Sequence, residues 1–345
     1  MSVLRRSTEN YRSFILSNVE RYPNEIAKKL SDKFKISRQA ANKHLQKLLL
    51  EDILTMSGNT KSRTYSLKPQ LEISQTYFLQ DKPKEDVVWA RDIKPNLGLL
   101  PDNVMNIWNY CFTEMFNNVI DHSGASIVTV DITKSAVATE IVIIDNGVGI
   151  FKKIQNELHL EDERHAVLEL AKGKFTTDPQ NHSGEGIFFS SRACDDYTIY
   201  SGGVHFSHDV EYGDEDWILE AKNLVKGTAV FMKLKNHSSR KLTKIFDDFA
   251  DIDYGFNKTI VPVALAQYGD ELIVSRSQAK RLLNRIDRFK TVILDFKGVD
   301  AVGQAFADEI FRVFASQHPE VSIHEVNANK DISNMISRAR QVNLS

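Results

Sequence analysis

Glu114 and Asn118 lie four residues apart in WNYCFTEMFNNVIDHS, residues 108–123, a spacing that puts both side chains on one face of a helix. An amide oxygen suits a hard cation such as Mg²⁺. A neighbouring carboxylate suits the task of orienting or deprotonating a nucleophile. Trp108, Cys111, Phe112, Met115, Phe116 and Val119 supply an apolar face, so the polar groups at Glu114, Asn118 and Asp121/His122 sit on a helix that is otherwise largely buried. Buried polar groups need partners. A magnesium–phosphate cluster would supply them, and so would water on an ordinary amphipathic helix.

Three further segments hold residues suited to the same ligand. In ATEIVIIDNGVGIF, an apolar strand over Ile141–Ile144 ends in Asp145, where a carboxylate can accept a hydrogen bond from an adenine amino group. Gly147 and Gly149 follow and let the backbone pass close to a base and sugar; D-N-G is also a common turn signal. In GKFTTDPQNHSGEGIFFSSRACD, small and polar residues run from Thr176 to Gly186 before an apolar stretch, as in a loop leading into a helix. Gly184 and Gly186 can offer N–H groups to phosphates at the helix start, with Lys172, Lys174 and His182 adding charge. Gly227-Thr228 opens a last strand in VKGTAVFMKL.

Taken in order, these segments resemble the boxes of the GHKL ATPases, the fold shared by gyrase, Hsp90, histidine kinases and MutL. Glu114-x-x-x-Asn118 resembles the N box in its anti-sigma-factor kinase form, Asp145-x-Gly147-x-Gly149 the G1 box, Ser183-Gly184-Glu185-Gly186 the G2 box, and Gly227-Thr228 the G3 position. The resemblance implies an α/β sandwich (the Bergerat fold) that binds ATP and Mg²⁺. It implies that Asn118 holds the metal, Glu114 serves the nucleophile, Asp145 and Thr228 bind adenine, Gly147 and Gly149 line the base pocket, and Gly184 and Gly186 contact phosphates. No histidine occurs in residues 91–107, which argues against a two-component sensor kinase.

The elements around this centre fall into blocks. Residues 1–70 carry 14 Lys/Arg against 6 Asp/Glu, whereas the remaining chain carries 30 against 40. A basic head on an acidic body suits a polyanion partner; a solvated helical surface has the same composition. Apolar residues recur at helical spacing over Tyr11–Val19, and Pro23 is expected in the first turn of a second helix. Ser37 is expected to cap a third helix whose outward face holds Arg38, Gln39, Asn42, Lys43 and Lys47. Two β-like runs flank SGNTKSR. This pattern resembles a winged helix-turn-helix domain. The resemblance implies that Arg38, Gln39, Asn42 and Lys43 enter the major groove of double-stranded DNA while Lys61 and Arg63 reach phosphates. Docking to a protein is the alternative use.

Residues 250–345 alternate strand and helix again. LDFKGVDAVGQAFADEIF, Leu294–Phe311, resembles STAS domains, and more closely the STAS-like domain of unknown function found after such ATPases. Phosphorylated antagonists of that kind carry a serine in the turn before the helix; here the turn reads Gly303-Gln304-Ala305.

The expected organisation is thus a multidomain α+β protein. A winged helix spans 1–70, a linker 71–90, a GHKL α/β sandwich 91–236 and a STAS-like α/β domain 250–345. No apolar run approaches a membrane span of about 20 residues, and two distant cysteines form no disulfide framework, so a cytoplasmic location is expected. The function expected is an ATP-binding regulator that couples nucleotide state to DNA binding, with a partner regulatory protein and a homodimer as further possibilities. The alternatives are an anti-sigma-type protein serine/threonine kinase and a nucleotide-gated interaction scaffold.

Overall fold

The computed structural model describes residues 3–59, 62–175, 184–210, 215–251, 255–267 and 272–341. The N-terminal unit packs helices Val3–Asn18, Ile26–Phe34 and Arg38–Leu50 against an antiparallel hairpin of β1 (Leu54–Ser57) and β2 (Thr64–Leu67). Ile15, Val19, Ile26, Leu30, Ala41 and Leu45 meet in its core. Ser37 caps the third helix by accepting the Ala40 N–H at 3.1 Å. The second helix starts at Ile26, so Pro23 lies in the turn before it rather than in its first turn. There its carbonyl accepts the Tyr65 N–H at 3.0 Å and ties that turn to the hairpin.

Residues 71–78, within the stretch read from sequence as a connector, form a strand. This is β3 (Leu71–Phe78), paired along its length with β4 (Ile127–Lys134). With β5 (Ala138–Asp145), β6 (Asp196–Asp209) and β7 (Glu215–Lys235) it makes a five-stranded antiparallel sheet in the order β3-β4-β5-β7-β6. Alternate residues, including Val128, Val130, Ile132, Ile141, Ile143, Met232 and Leu234, are buried on one face, the two-residue period of a half-covered strand. Helices Asp102–His122, Ile150–Leu158, Glu163–Lys172 and Gly186–Ala193 complete this central unit. Trp108, Phe112, Met115 and Phe116 bury the inner face of the first. β6 folds back at Gly202, which has φ +59°, so that the Thr198 and Ser207 hydroxyls meet at 2.9 Å.

The C-terminal unit is a parallel three-stranded sheet of β8 (Lys258–Pro262), β9 (Thr291–Asp295) and β10 (Ser322–Val326), ordered β10-β9-β8. Helix Arg276–Leu283 crosses from β8 to β9. A helical run that starts at Gln304–Asp308 crosses from β9 to β10, and Lys330–Gln341 closes the unit. Ser275 and Gln278 form a reciprocal capping box at the first of these helices. Gly303 opens the helical run because a Cβ there would lie 2.7 Å from Val274 Cα.

The units are joined unequally. One continuous buried core runs from the central into the C-terminal unit. The N-terminal unit has its own core, touched by Ala136 and Val137 from the β4–β5 turn. Beside that contact Lys233 meets both Glu20 and Glu140 at 2.8 Å. Burial opposes the Lys233 charge, but the two carboxylates outweigh it and hold the ammonium above the usual lysine range. Among the described residues, no helix is long and apolar enough to cross a membrane.

Candidate functional site

A cavity of about 250 Å³ lies where β5 ends. Its walls come from four stretches of chain. The Asp102–His122 helix contributes Glu114, Asn118 and His122; the end of β5 and the loop after it contribute Asp145, Val148 and Gly149. The base of the 176–183 segment contributes Phe175, Gly184 and Gly186, and β7 contributes Thr228. The structure thereby brings together Glu114, Asn118, Asp145, Gly149, Gly184, Gly186 and Thr228. Gly147 stands just behind the wall and donates its N–H to Asp145 Oδ1 at 2.7 Å.

Asp145 is 4% exposed. Burial raises its carboxyl above the usual carboxylate range, against the pull of donors from Gly147 and from the Thr228 backbone and hydroxyl. The Thr228 hydroxyl accepts the Ile150 N–H at 3.0 Å, which leaves its own proton for Asp145. A buried carboxylate held by three donors keeps an acceptor lone pair for one further amine. Gly227, with φ +77°, packs on the Asp145 carbonyl, and a side chain there would overlap it.

At the other end of the cavity the Glu114 carboxylate rests against Gly186, where any Cβ would overlap it. Gly184, with φ +73°, packs on the backbone of Phe175, and the Phe175 N–H donates to the Gly184 carbonyl at 3.2 Å. The two ends of the 176–183 segment are thus joined at the cavity rim. Asn118 offers one amide oxygen. Among the described residues, no group of three or more His, Cys, Asp and Glu side chains is arranged to hold a metal. A Mg²⁺ held by Asn118 would therefore take most of its six ligands from phosphate oxygens and water, as that ion commonly does.

Other charges differ from the sequence expectation. Lys172 and Lys174 turn away from the cavity. Lys172 is buried, pairs with Glu169 at 2.6 Å, and donates to the carbonyls of Arg281 and Asn284 in the C-terminal unit. Lys174 donates to Asn257 Oδ1 and the Arg288 carbonyl. His182 lies outside the described residues. Among the described residues, Lys153 is a lysine that lines the cavity, and its Nζ donates to the His122 carbonyl at 2.8 Å. Its position four residues after Gly149, on the first turn of a helix, is the sequence signal that marks it.

On the N-terminal unit, Arg38, Gln39, Asn42 and Lys43 are exposed along one side of the Arg38–Leu50 helix. Arg63 is half-buried, with a buried Nε, so it is less free to reach outward than its place in a hairpin suggested. Lys61 lies outside the described residues.

Comparison with known proteins bears on the C-terminal unit. Residues 278–333 match the STAS-like domain of unknown function (DUF4325). This stretch includes β9, β10 and the helical run between them. No curated protein matches the chain.

Proposed function

We propose that the chain is an ATP- and Mg²⁺-dependent regulator whose central unit is a GHKL-type nucleotide site and whose N-terminal unit is a winged helix that binds double-stranded DNA. The observation that carries the reading is the convergence of Glu114, Asn118, Asp145, Gly149, Gly184, Gly186 and Thr228 on one cavity from four separate stretches of chain. In this reading Asp145 and Thr228 hold the adenine amino group. Asn118 ligates Mg²⁺ on the phosphates, which lie against the Gly184–Gly186 backbone, and Glu114 faces the terminal phosphate. Bound Mg²⁺ supplies charge neutralisation at the phosphates.

DNA binding draws support from the exposed row Arg38, Gln39, Asn42 and Lys43 and from the excess of basic residues in 1–70. The winged helix sits on the β4–β5 turn, at the opposite end of β5 from Asp145. Those ends are roughly 24 Å apart at strand rise, so nucleotide and DNA occupy separate sites. Binding to genomic DNA fragments, measured with and without ATP-Mg²⁺, tests the reading. Affinity is expected to differ between the two states and to fall when Arg38 and Lys43 are both changed to Glu, with a shallower salt dependence. Absence of DNA affinity in both states would overturn the DNA-binding half.

A further inference from the structure

The residues just before the 176–183 segment are gripped by the C-terminal unit from several sides. Thr259 Oγ1 donates to the Lys172 carbonyl at 2.7 Å. Lys172 Nζ donates back to the carbonyls of Arg281 and Asn284 at 3.1 and 2.8 Å. Arg285 Nη2 donates to the Lys174 carbonyl at 2.9 Å, and Arg288 Nη1 to the same oxygen at 3.3 Å. The Arg285 guanidinium also stands 4.9 Å from the centroid of the Phe175 ring. At Gly173, with φ +82°, a Cβ would lie 2.9 Å from the Phe256 ring, so even the backbone is packed tight.

Phe175 is the link. It lines the cavity, its N–H holds Gly184 at the far end of the segment, and Arg285 covers its ring. A displacement of the 284–288 turn therefore moves a cavity wall and the Phe175–Gly184 hydrogen bond beside it. Arg285 itself is tied back to the central unit, 3.6 Å from the buried Glu169 carboxylate, which also accepts from Asn284 Nδ2 at 3.1 Å.

We infer that the C-terminal STAS-like unit is a built-in clamp on the Phe175 wall of the nucleotide cavity, with Arg285 as the positioning residue that sets how long nucleotide stays bound. The inference rests on reading the cavity as a nucleotide site. By linkage, whatever binds the C-terminal unit and shifts the 284–288 turn changes nucleotide affinity, and nucleotide changes that partner's affinity by the same factor. Arg285 touches no ligand itself; it acts through Phe175 and the Lys174 carbonyl.

The test uses the full chain, a fluorescent ATP analogue with Mg²⁺, and two readouts: analogue dissociation by stopped flow and amide exchange over residues 172–186. Arg285→Ala is expected to speed dissociation by roughly 5- to 150-fold, the usual range of coupling between sites, and to speed exchange at the Phe175 amide. Arg285→Lys keeps a donor for the Lys174 carbonyl but loses the flat guanidinium on the ring, and should fall between. Arg285→Gln, which keeps an amide donor for the Lys174 carbonyl but loses the charge over the Phe175 ring, serves if Arg285→Ala does not fold. Dissociation within twofold of wild type overturns the inference, whatever the exchange shows. A wild-type chain that binds no analogue sinks the nucleotide reading instead; exchange at Phe175 then decides the clamp, and unchanged exchange overturns it.

Discussion

The Glu114 carboxylate and Gly186 occupy adjoining space at the cavity rim, and a single methyl group on Gly186 would overlap the carboxylate. Alanine is a better helix former than glycine by roughly 1 kcal/mol, so Gly186→Ala does not weaken the helix it opens. The overlap falls on the flexible Glu114 side chain, which must swing away and so leaves its place in the cavity. Gly186→Ala is therefore expected to bind ATP-Mg²⁺ at least about tenfold more weakly, the equivalent of ~1.4 kcal/mol, with the fold retained. Titration calorimetry checks this, and wild-type affinity in the variant would count against it.

Asp145 ties pH to both binding and stability. Burial raises its folded-state carboxyl above the unfolded value. Only the ionised form accepts freely from an adenine amine, so ATP affinity should fall as pH drops through the raised value. The decline begins at a higher pH than for an ordinary carboxylate. The stability effect has the opposite sign: a raised carboxyl adds stability as pH falls and loses it as pH rises. Asp145→Asn should therefore bind ATP poorly at all pH values, and its stability should vary less with pH than that of wild type across the range between the ordinary and the raised carboxyl value. Equal pH dependence of melting in the two proteins would contradict this.

Lys172 and Glu169 form a buried pair with side chains 2% and 3% exposed. Lys172→Met removes the nearest cation from the Glu169 carboxylate, which keeps Arg285 at 3.6 Å, and should cost roughly 3 kcal/mol, the low end for breaking a buried pair. Glu169→Leu leaves Lys172 buried without its carboxylate, and the double variant Lys172→Met/Glu169→Leu should cost less than the sum of the two single changes. Urea denaturation of wild type, the two single variants and the double variant measures the coupling; additive single effects would show that the pair does not act as a unit.

Much of the fold was legible locally. Ser37 caps its helix because a hydroxyl before an apolar period is a start signal, and the alternation in β4 and β5 marks the buried face. The cavity residues Glu114, Asn118, Asp145 and Thr228 stood out because each is polar or glycine-flanked at the edge of an apolar run. Where Lys172 and Lys174 point was not legible: Glu169 is local to Lys172, but the partners in the C-terminal unit, Asn257, Arg281, Asn284 and Arg288, lie 80 or more residues away. β3 was hidden for a related reason. As an edge strand with only every second residue half-buried, LEISQTYF carries too little apolar signal to separate it from a connector, and its pairing with β4 is long-range. Arg63 looked like a free wing cation because hairpin tips usually face water, yet packing half-covers it.

The central claim is that the cavity holds ATP through Mg²⁺ on Asn118. Calorimetric titration of ATP into the full chain and into Asn118→Ala, each with Mg²⁺ and with EDTA, tests it most directly. The wild-type chain is expected to bind one ATP, at least about tenfold more tightly with Mg²⁺, a ~1.4 kcal/mol difference, and Asn118→Ala to lose that Mg²⁺ effect. No binding by the wild-type chain, or an equal Mg²⁺ effect in both proteins, would contradict it.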